Sequence, residues 1–158
     1  MPTLRQSVQV AQNQPAISAD GYEPITLVGD YTTVAGIGAA DVIEMVNLPA
    51  GYVPVDAILC AEDLDSGGAP AITLDLGLIS GAAGVVDATR TCGSEAFAAS
   101  TVGQAGGVAR PTKAAFAMIA PTSADRGIGL KVVAAAATAV VGAKVRLTVI
   151  ARPALYGV

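Results

Sequence analysis

Acidic residues and glycines with the composition of an ion-binding loop occupy the segment from Ala61 to Pro70, Ala-Glu-Asp-Leu-Asp-Ser-Gly-Gly-Ala-Pro. Carboxylate oxygens are ligands that Ca²⁺ prefers, so we tested the segment as an EF-hand beginning at Asp63. Asp65 fits position 3, but Gly67 and Leu74 occupy positions 5 and 12, where oxygen ligands are required. An EF-hand is therefore excluded, and Asp63 and Asp65 are retained only as candidate ligands of a different calcium geometry.

The glycine-rich sites also fail as phosphate-binding loops. Neither Gly67-Gly68 nor Gly36-Ile37-Gly38 is followed by Lys-Ser or Lys-Thr, and neither precedes a pattern typical of a helix start. Glycine at such positions supplies the positive φ that tight turns require. We therefore interpret the segment 62–70 as the connection between two strands.

The absence of histidine excludes most catalytic sites. The chain has no histidine, which removes the usual general base near neutral pH and both the Ser-His-Asp and Cys-His arrangements. A carboxylate pair for glycoside hydrolysis would have to come from acidic residues such as Glu44, Asp56, Glu62, Asp63, Asp65 and Asp75. Aromatic residues make up only 4% of the chain and Trp is absent, which disfavours a sugar site built on stacked rings. We predict no catalytic residue, no cofactor and no enzymatic activity.

Composition limits the partners of the chain. Its 158 residues are the size of one domain. Because 53% of the residues are apolar and only 14% are charged, we predict that part of its apolar surface is buried against other subunits. The net charge is −4 and the nine basic residues are scattered, which disfavours nucleic-acid binding. The weakly polar run between Lys131 and Lys144 is shorter than the roughly 20 residues of a membrane-spanning helix. We therefore predict neither a nucleic-acid partner nor a membrane partner.

The N-terminal residues and the cysteines indicate the site of synthesis. Residues 1–14 lack the apolar core of a secretory signal peptide, so synthesis in the cytoplasm is expected. Cys60 and Cys92 are the only cysteines, and without CxxC spacing they are predicted to be free thiols.

Period-two alternation predicts the elements that would carry these residues. Strands are predicted over Ala143–Pro153, Tyr52–Ala61 and Ile72–Ile79, and more weakly over Ile25–Val28, Val42–Leu48, Ala114–Ala120 and Gly127–Ala137. In the first strand, Val145, Leu147, Val149 and Ala151 share one face; in the second, Val53, Val55, Ala57, Leu59 and Ala61 do so. Good helix formers between Ser94 and Gly107, with Ser94 as a possible N-cap, predict one short helix.

These elements predict an all-β fold. Short antiparallel strands separated by Gly and Pro turns are typical of a single β-sandwich, here interpreted as a jelly roll with at most one short helix. The sandwich would span residues 21–158. Residues 1–20 are rich in Gln, Asn, Ser and Ala and are interpreted as an extended N-terminal arm.

One stretch of the chain resembles a known family. The run from Asp41 to Gly67, DVIEMVNLPAGYVPVDAILCAEDLDSG, and the run from Pro70 to Gly81, PAITLDLGLISG, are similar to the central strands of capsid decoration, or cement, proteins of tailed bacteriophages. The segments Arg126–Val133 and Lys144–Val149 fit the closing strands of that family. The resemblance extends over most of residues 23–152.

This resemblance implies a function without chemistry. It implies a virion protein on the capsid exterior that forms dimers or trimers and stabilises the head by bridging subunits of the major capsid protein. The candidate contacts are Leu4, Val8 and Val10 of the arm, with the loops 62–70 and 103–112. Two alternatives stay open: a carbohydrate- or receptor-binding jelly-roll module of a tail or fibre, and another virion component such as a tail or connector protein.

Overall fold

The computed structural model describes residues 23–34 and 37–154. Within them the chain forms eight strands and one four-residue helix. The elements are β1 (Ile25–Thr32), β2 (Val42–Leu48), β3 (Tyr52–Ala61), β4 (Thr73–Leu78), β5 (Phe97–Ser100), β6 (Gly107–Ala109), α1 (Ala114–Ala117), β7 (Arg126–Ala134) and β8 (Lys144–Pro153). No helix in these described ranges is long and apolar enough to cross a membrane.

The strands form two four-stranded antiparallel sheets, so the predicted all-β sandwich is confirmed. The β1 sheet has the order β1-β8-β3-β6, and the β2 sheet has the order β2-β7-β4-β5. The pairs β1·β8, β2·β7, β3·β6 and β4·β5 alternate between the sheets, as they do when one long hairpin is wound around a core. The connections β1–β2, β3–β4, β5–β6 and β7–β8 meet at one end of the sandwich, where the acidic segment lies.

The core is made by side chains that alternate along the strands. In β8, Val145, Leu147, Val149 and Ala151 are each at most 2% exposed, as the alternation predicts. The facing wall comes from the β2 sheet, whose inward residues include Leu48, Leu74, Leu76, Ile128 and Leu130.

A β-bulge in β3 makes part of its predicted inward face wrong. The register between β3 and β8 shifts between Pro54 and Asp56, so the alternation reverses at that point. Pro54 is therefore buried and Val55 is 47% exposed, the opposite of the prediction, whereas Ala57 and Leu59 lie in the core as predicted.

Two element predictions are wrong: the predicted helix forms a strand, and one predicted strand contains the helix. The segment between Ser94 and Gly107 forms β5 and the approach to β6, because β5 pairs with β4 and the Asp75 carboxylate accepts a hydrogen bond from the Ala99 N–H at 2.7 Å. The single short helix is instead α1, within the predicted strand Ala114–Ala120. There Phe116, 1% exposed, inserts into the core. Pairing and burial override local propensity in both segments.

Candidate functional site

The acidic segment of the β3–β4 connection is organised around Asp65, which is only 1% exposed. Its two carboxylate oxygens accept backbone hydrogen bonds, Oδ2 from Ala71 (2.7 Å), Ile72 (3.2 Å) and Ala137 (2.8 Å), and Oδ1 from Gly67 (3.2 Å) and Thr138 (2.8 Å). Asp65 therefore clamps the β3–β4 loop to the β7–β8 loop.

The same contacts keep Asp65 ionised. Burial of the carboxyl raises its pKa, but the backbone hydrogen bonds from Thr138, Ala71, Ala137 and Gly67 lower it by more, so the pKa lies well below its usual range. The negative charge is thus compensated by amide dipoles and needs no cation.

The other carboxylates of the segment bind different backbone groups. Asp63 Oδ1 accepts a hydrogen bond from the Asp65 N–H at 2.9 Å, and Glu62 Oε2 accepts one from the Lys144 N–H at 2.7 Å. Within residues 23–34 and 37–154, no three His, Cys, Asp or Glu side chains are grouped in a way that could hold a metal ion. The candidate ligands Asp63 and Asp65 therefore shape the loop in this structure.

Further hydrogen bonds tie this end of the sandwich together. Thr33, 4% exposed, donates through Oγ1 to the Val140 carbonyl at 2.7 Å and accepts from the Ala143 N–H at 2.9 Å. The Leu64 N–H donates to the Gly103 carbonyl at 2.8 Å. These hydrogen bonds link described residues of all four connections at this end, while the tip of the predicted contact loop 62–70 faces solvent.

The outer face of the β1 sheet carries apolar side chains. Val28 of β1, 56% exposed, lies opposite Thr148 of β8, which lies opposite the half-buried Ile58 of β3. Ile150 is on the next row of β8, and Val108 of β6 is 64% exposed. We call Val28, Ile58, Val108 and Ile150 the outer strip.

Exposed ion pairs flank the outer strip. Arg146 binds Asp30 through Nε at 2.6 Å and Nη2 at 3.0 Å, and Arg110 pairs with Asp56. The hydrogen bond from Arg146 lowers the pKa of Asp30. Such solvent-exposed pairs contribute little to stability. The Asp30–Arg146 pair lies on the row of Val108, and Asp56 lies opposite Ile150, so charged and apolar side chains are interspersed on this face.

The β2 sheet differs, because the long β4–β5 connection covers part of its outer face. Gly77 and Gly129 have no side chain there, and a Cβ at Gly77 would lie 2.6 Å from the Gly93 carbonyl, so the close approach of this connection requires glycine at position 77. Ile79 and Cys92 of this connection pack against β7 at Gly129 and are 4% and 7% exposed. The connection therefore covers part of the outer face of the β2 sheet, although Val133 of β7 stays 42% exposed on that side.

An ion pair holds this covering connection. Arg90 donates to both carboxylate oxygens of Glu44, at 2.7 and 2.9 Å, and its Nε donates to the Ser80 carbonyl at 2.7 Å. The hydrogen bond from Arg90 holds the pKa of Glu44 below its ordinary value. Since the Arg90 side chain is 8% exposed, this bidentate pair anchors the connection more firmly than a surface pair would.

The buried thiol of Cys92 is not an activated nucleophile. Both cysteines are free, as predicted, with Cys60 exposed and Cys92 buried. Burial raises the pKa of Cys92 to about 12, which keeps it protonated at neutral pH.

The predicted contact residues have mixed outcomes. Leu4, Val8 and Val10 lie outside the described residues. The predicted loop 103–112 includes Val108 and Arg110, which border the bare sheet face. Sequence reasoning missed Ile58 and Ile150; the available signal was an isoleucine at position 150 on the otherwise polar face of the β8 pattern.

Comparison with known proteins identifies similar chains in two phage capsids. No protein-family model matches the chain, and no curated protein matches it. A chain from the capsid of Ralstonia phage GP4 is 44% identical, with a TM-score of 0.78, and the match covers 89% of this chain and 88% of that chain. A chain from the capsid asymmetric unit of cyanophage Pam1 is 27% identical, with a TM-score of 0.69, over 98% of this chain and 100% of that chain.

Proposed function

Since the chain belongs to the family of phage capsid proteins that the matched chain of Ralstonia phage GP4 represents, we propose that it is a capsid decoration protein. It binds the outer surface of an assembled head and stabilises the head by bridging neighbouring subunits of the major capsid protein. The 44% identity over 89% of the chain is the observation that carries the proposal, because it gives the protein a structural role in a virion.

The fold supports this proposal. The strand orders β1-β8-β3-β6 and β2-β7-β4-β5 agree with a jelly roll, which consists of eight strands in two sheets and recurs among viral capsid domains. Hydrogen bonds between the loops at the Asp65 end keep the sandwich rigid, so little conformational entropy is lost when it docks. Many copies on one shell add avidity, so each contact can be modest.

The bare face of the β1 sheet is the proposed capsid contact. It combines the outer strip with the Asp30–Arg146 and Asp56–Arg110 pairs, whereas the other broad face is partly covered by the β4–β5 connection. Burial of the strip supplies affinity, and the flanking charges fix the orientation of the docked protein.

A non-enzymatic role is part of the proposal. It is supported by the lack of histidine in the sequence and by the burial of Cys92, which leave the usual nucleophile and base pairs unavailable. Self-association into dimers or trimers is also proposed, and sedimentation equilibrium of the purified protein measures it directly.

Addition of purified protein to undecorated heads tests the function. Bound protein is expected to raise the temperature at which the heads release their DNA, in proportion to occupancy, because a ligand of the intact shell stabilises it by mass action. Failure to bind heads, with no change in their heat resistance, overturns the proposal. Specific labelling of tails instead would assign the protein to a tail or connector, and saturable binding on a glycan array would assign it to receptor recognition.

A further inference from the structure

One edge of β1 is unpaired among the described residues. β1 lies at the end of its sheet and pairs with β8 through eight residues in unbroken register. The N–H of Thr33, which follows β1, donates to the carbonyl of Ala143, which precedes β8, at 2.8 Å. Backbone groups of consecutive residues in an antiparallel strand point to opposite sides, so the odd-numbered residues of β1 bond to β8. The N–H and C=O groups that point to the free edge are those of Thr26, Val28, Asp30 and Thr32.

The other three edge strands have features that hinder pairing. β2 has a bulge between Glu44 and Val46, β5 has four residues and an irregular register with β4, and β6 has three residues. Bulges and short strands are devices that prevent edge-to-edge association of sheets. β1 has neither device, and it contains no Lys, Arg or Pro. Among the described strands, it is therefore the edge best suited to pair with a further strand.

The side of the sandwich along β1 and β2 also leaves apolar side chains partly exposed. On the opposite side, the segment after β6 closes the sandwich, because Phe116 inserts into the core and the Lys113 N–H donates to the Ala96 carbonyl. Along β1 and β2, Leu27, Ile43 and Met45 pack against the core but are only half-buried. A strand added beside β1 extends its sheet over these side chains and removes more of their surface from water.

The β1 edge is complementary to a second copy of itself. In an antiparallel pair about a two-fold axis at Gly29, Thr26 lies opposite Thr32 of the second copy, and Val28 lies opposite its Asp30. All four outward residues then form hydrogen-bonded pairs, and only this two-fold register uses them all. No like charges lie directly opposite each other, and each Asp30 is paired with its own Arg146.

We propose that two copies of this chain pair antiparallel along β1, about a two-fold axis at Gly29, and join their two four-stranded β1 sheets into one continuous sheet. The inference deepens the self-association proposed above and rests on it for the existence of a dimer, but not for the choice of surface.

This dimer would place two outer strips side by side. The side chain of Val28 stands on the outer face of the sheet, whereas its outward backbone groups lie on the edge, so capsid binding and pairing use different parts of the strand. Two linked contacts with one shell bind more tightly than either contact alone.

Cross-linking tests the register. The double variant Thr26→Cys/Thr32→Cys is prepared with Cys60→Ser, because Cys60 is an exposed native thiol. In the proposed dimer, the β-carbon at position 26 of one copy lies about 5 Å from that at position 32 of the other. Two residues at position 26, or two at position 32, lie about 20 Å apart. A short bismaleimide should therefore link the double variant into dimers and leave both single variants, the matched controls, unlinked.

A backbone variant tests the hydrogen bonds. Thr26→Pro removes an N–H that points away from β8, so it deletes two hydrogen bonds per dimer and keeps the pairing with β8. Thr26→Ala keeps this N–H and is the matched control. Sedimentation equilibrium should give a dimer dissociation constant about tenfold to a hundredfold higher for Thr26→Pro than for Thr26→Ala. Circular dichroism verifies that both variants fold.

The outcomes separate this inference from the proposed function. Dimers that link equally in the single and double variants, or equal dissociation constants for Thr26→Pro and Thr26→Ala, overturn the β1 pairing. A trimer also overturns it but leaves the proposed self-association standing. A wild type that stays monomeric overturns both, and protection of its outward β1 amides from hydrogen exchange would assign the edge to another segment of the chain. Binding to undecorated heads tests the capsid role independently of all these results.

Discussion

The outer strip makes a quantitative prediction at Val28. Val28 is 56% exposed, so docking on the capsid removes slightly more than half of its side chain from water. Complete burial of an aliphatic side chain contributes about 1.5–3 kcal/mol, so the contact of Val28 is worth about 1 kcal/mol, or about a fivefold change in affinity. Val28→Asp also forces a carboxylate to lose its water, so we expect affinity for undecorated heads to fall by more than about tenfold.

The matched control is Val133→Asp, which makes the same change in a strand of the other sheet, at a residue that is 42% exposed. Cosedimentation of labelled protein with heads measures both affinities, and circular dichroism verifies that both variants fold. Because both side chains face solvent, neither change should alter the unfolding temperature greatly. The reasoning is refuted if Val28→Asp binds as tightly as Val133→Asp, or if Val28→Asp alters the oligomeric state of the free protein and leaves head binding intact.

Four predictions concern the buried side chains of Asp65, Cys92 and Phe116. Asp65→Asn leaves at least two of the five N–H groups at this carboxylate without an acceptor, so its unfolding temperature falls more than that of Asp63→Asn. The pKa of Asp65 in the folded protein lies below that of an unfolded Asp, which is about 4. Ionised Asp65 therefore stabilises the fold fully above about pH 4, and this stabilisation is lost as the pH falls further. The acid unfolding curves of the wild type and Asp65→Asn should converge at low pH. Maleimide should label Cys60 in the folded protein and Cys92 only after denaturation, as mass spectrometry can show. Phe116→Ala should lower the free energy of unfolding in urea by about 3–5 kcal/mol.

Sequence patterns predicted the regular strands well. Tyr52–Ala61 and Val42–Leu48 have the predicted bounds, and the inward face of β8 is as predicted, because a half-buried antiparallel strand imposes a strict period of two. The bulge at Val55 was not predictable, because it depends on the register of β3 against β8 and not on any local signal. The same holds for β5, where pairing with β4 overrides the helix propensity of the segment.

The chemistry of the acidic segment was only partly predictable. Asp63 and Asp65 failed the EF-hand pattern in the sequence, but nothing there distinguishes the buried Asp65 from the exposed Asp63. The difference arises when the β7–β8 loop brings the N–H groups of Ala137 and Thr138 to Asp65, 72 and 73 residues away along the chain.

The most direct test of the decoration role is a cryo-EM map of the native particle that carries this protein. We predict density for the sandwich on the outside of the head, across the junctions between major capsid protein subunits, with the outer strip facing the shell. Density confined to the tail or the connector, or heads without this protein on their outer surface, would contradict the account.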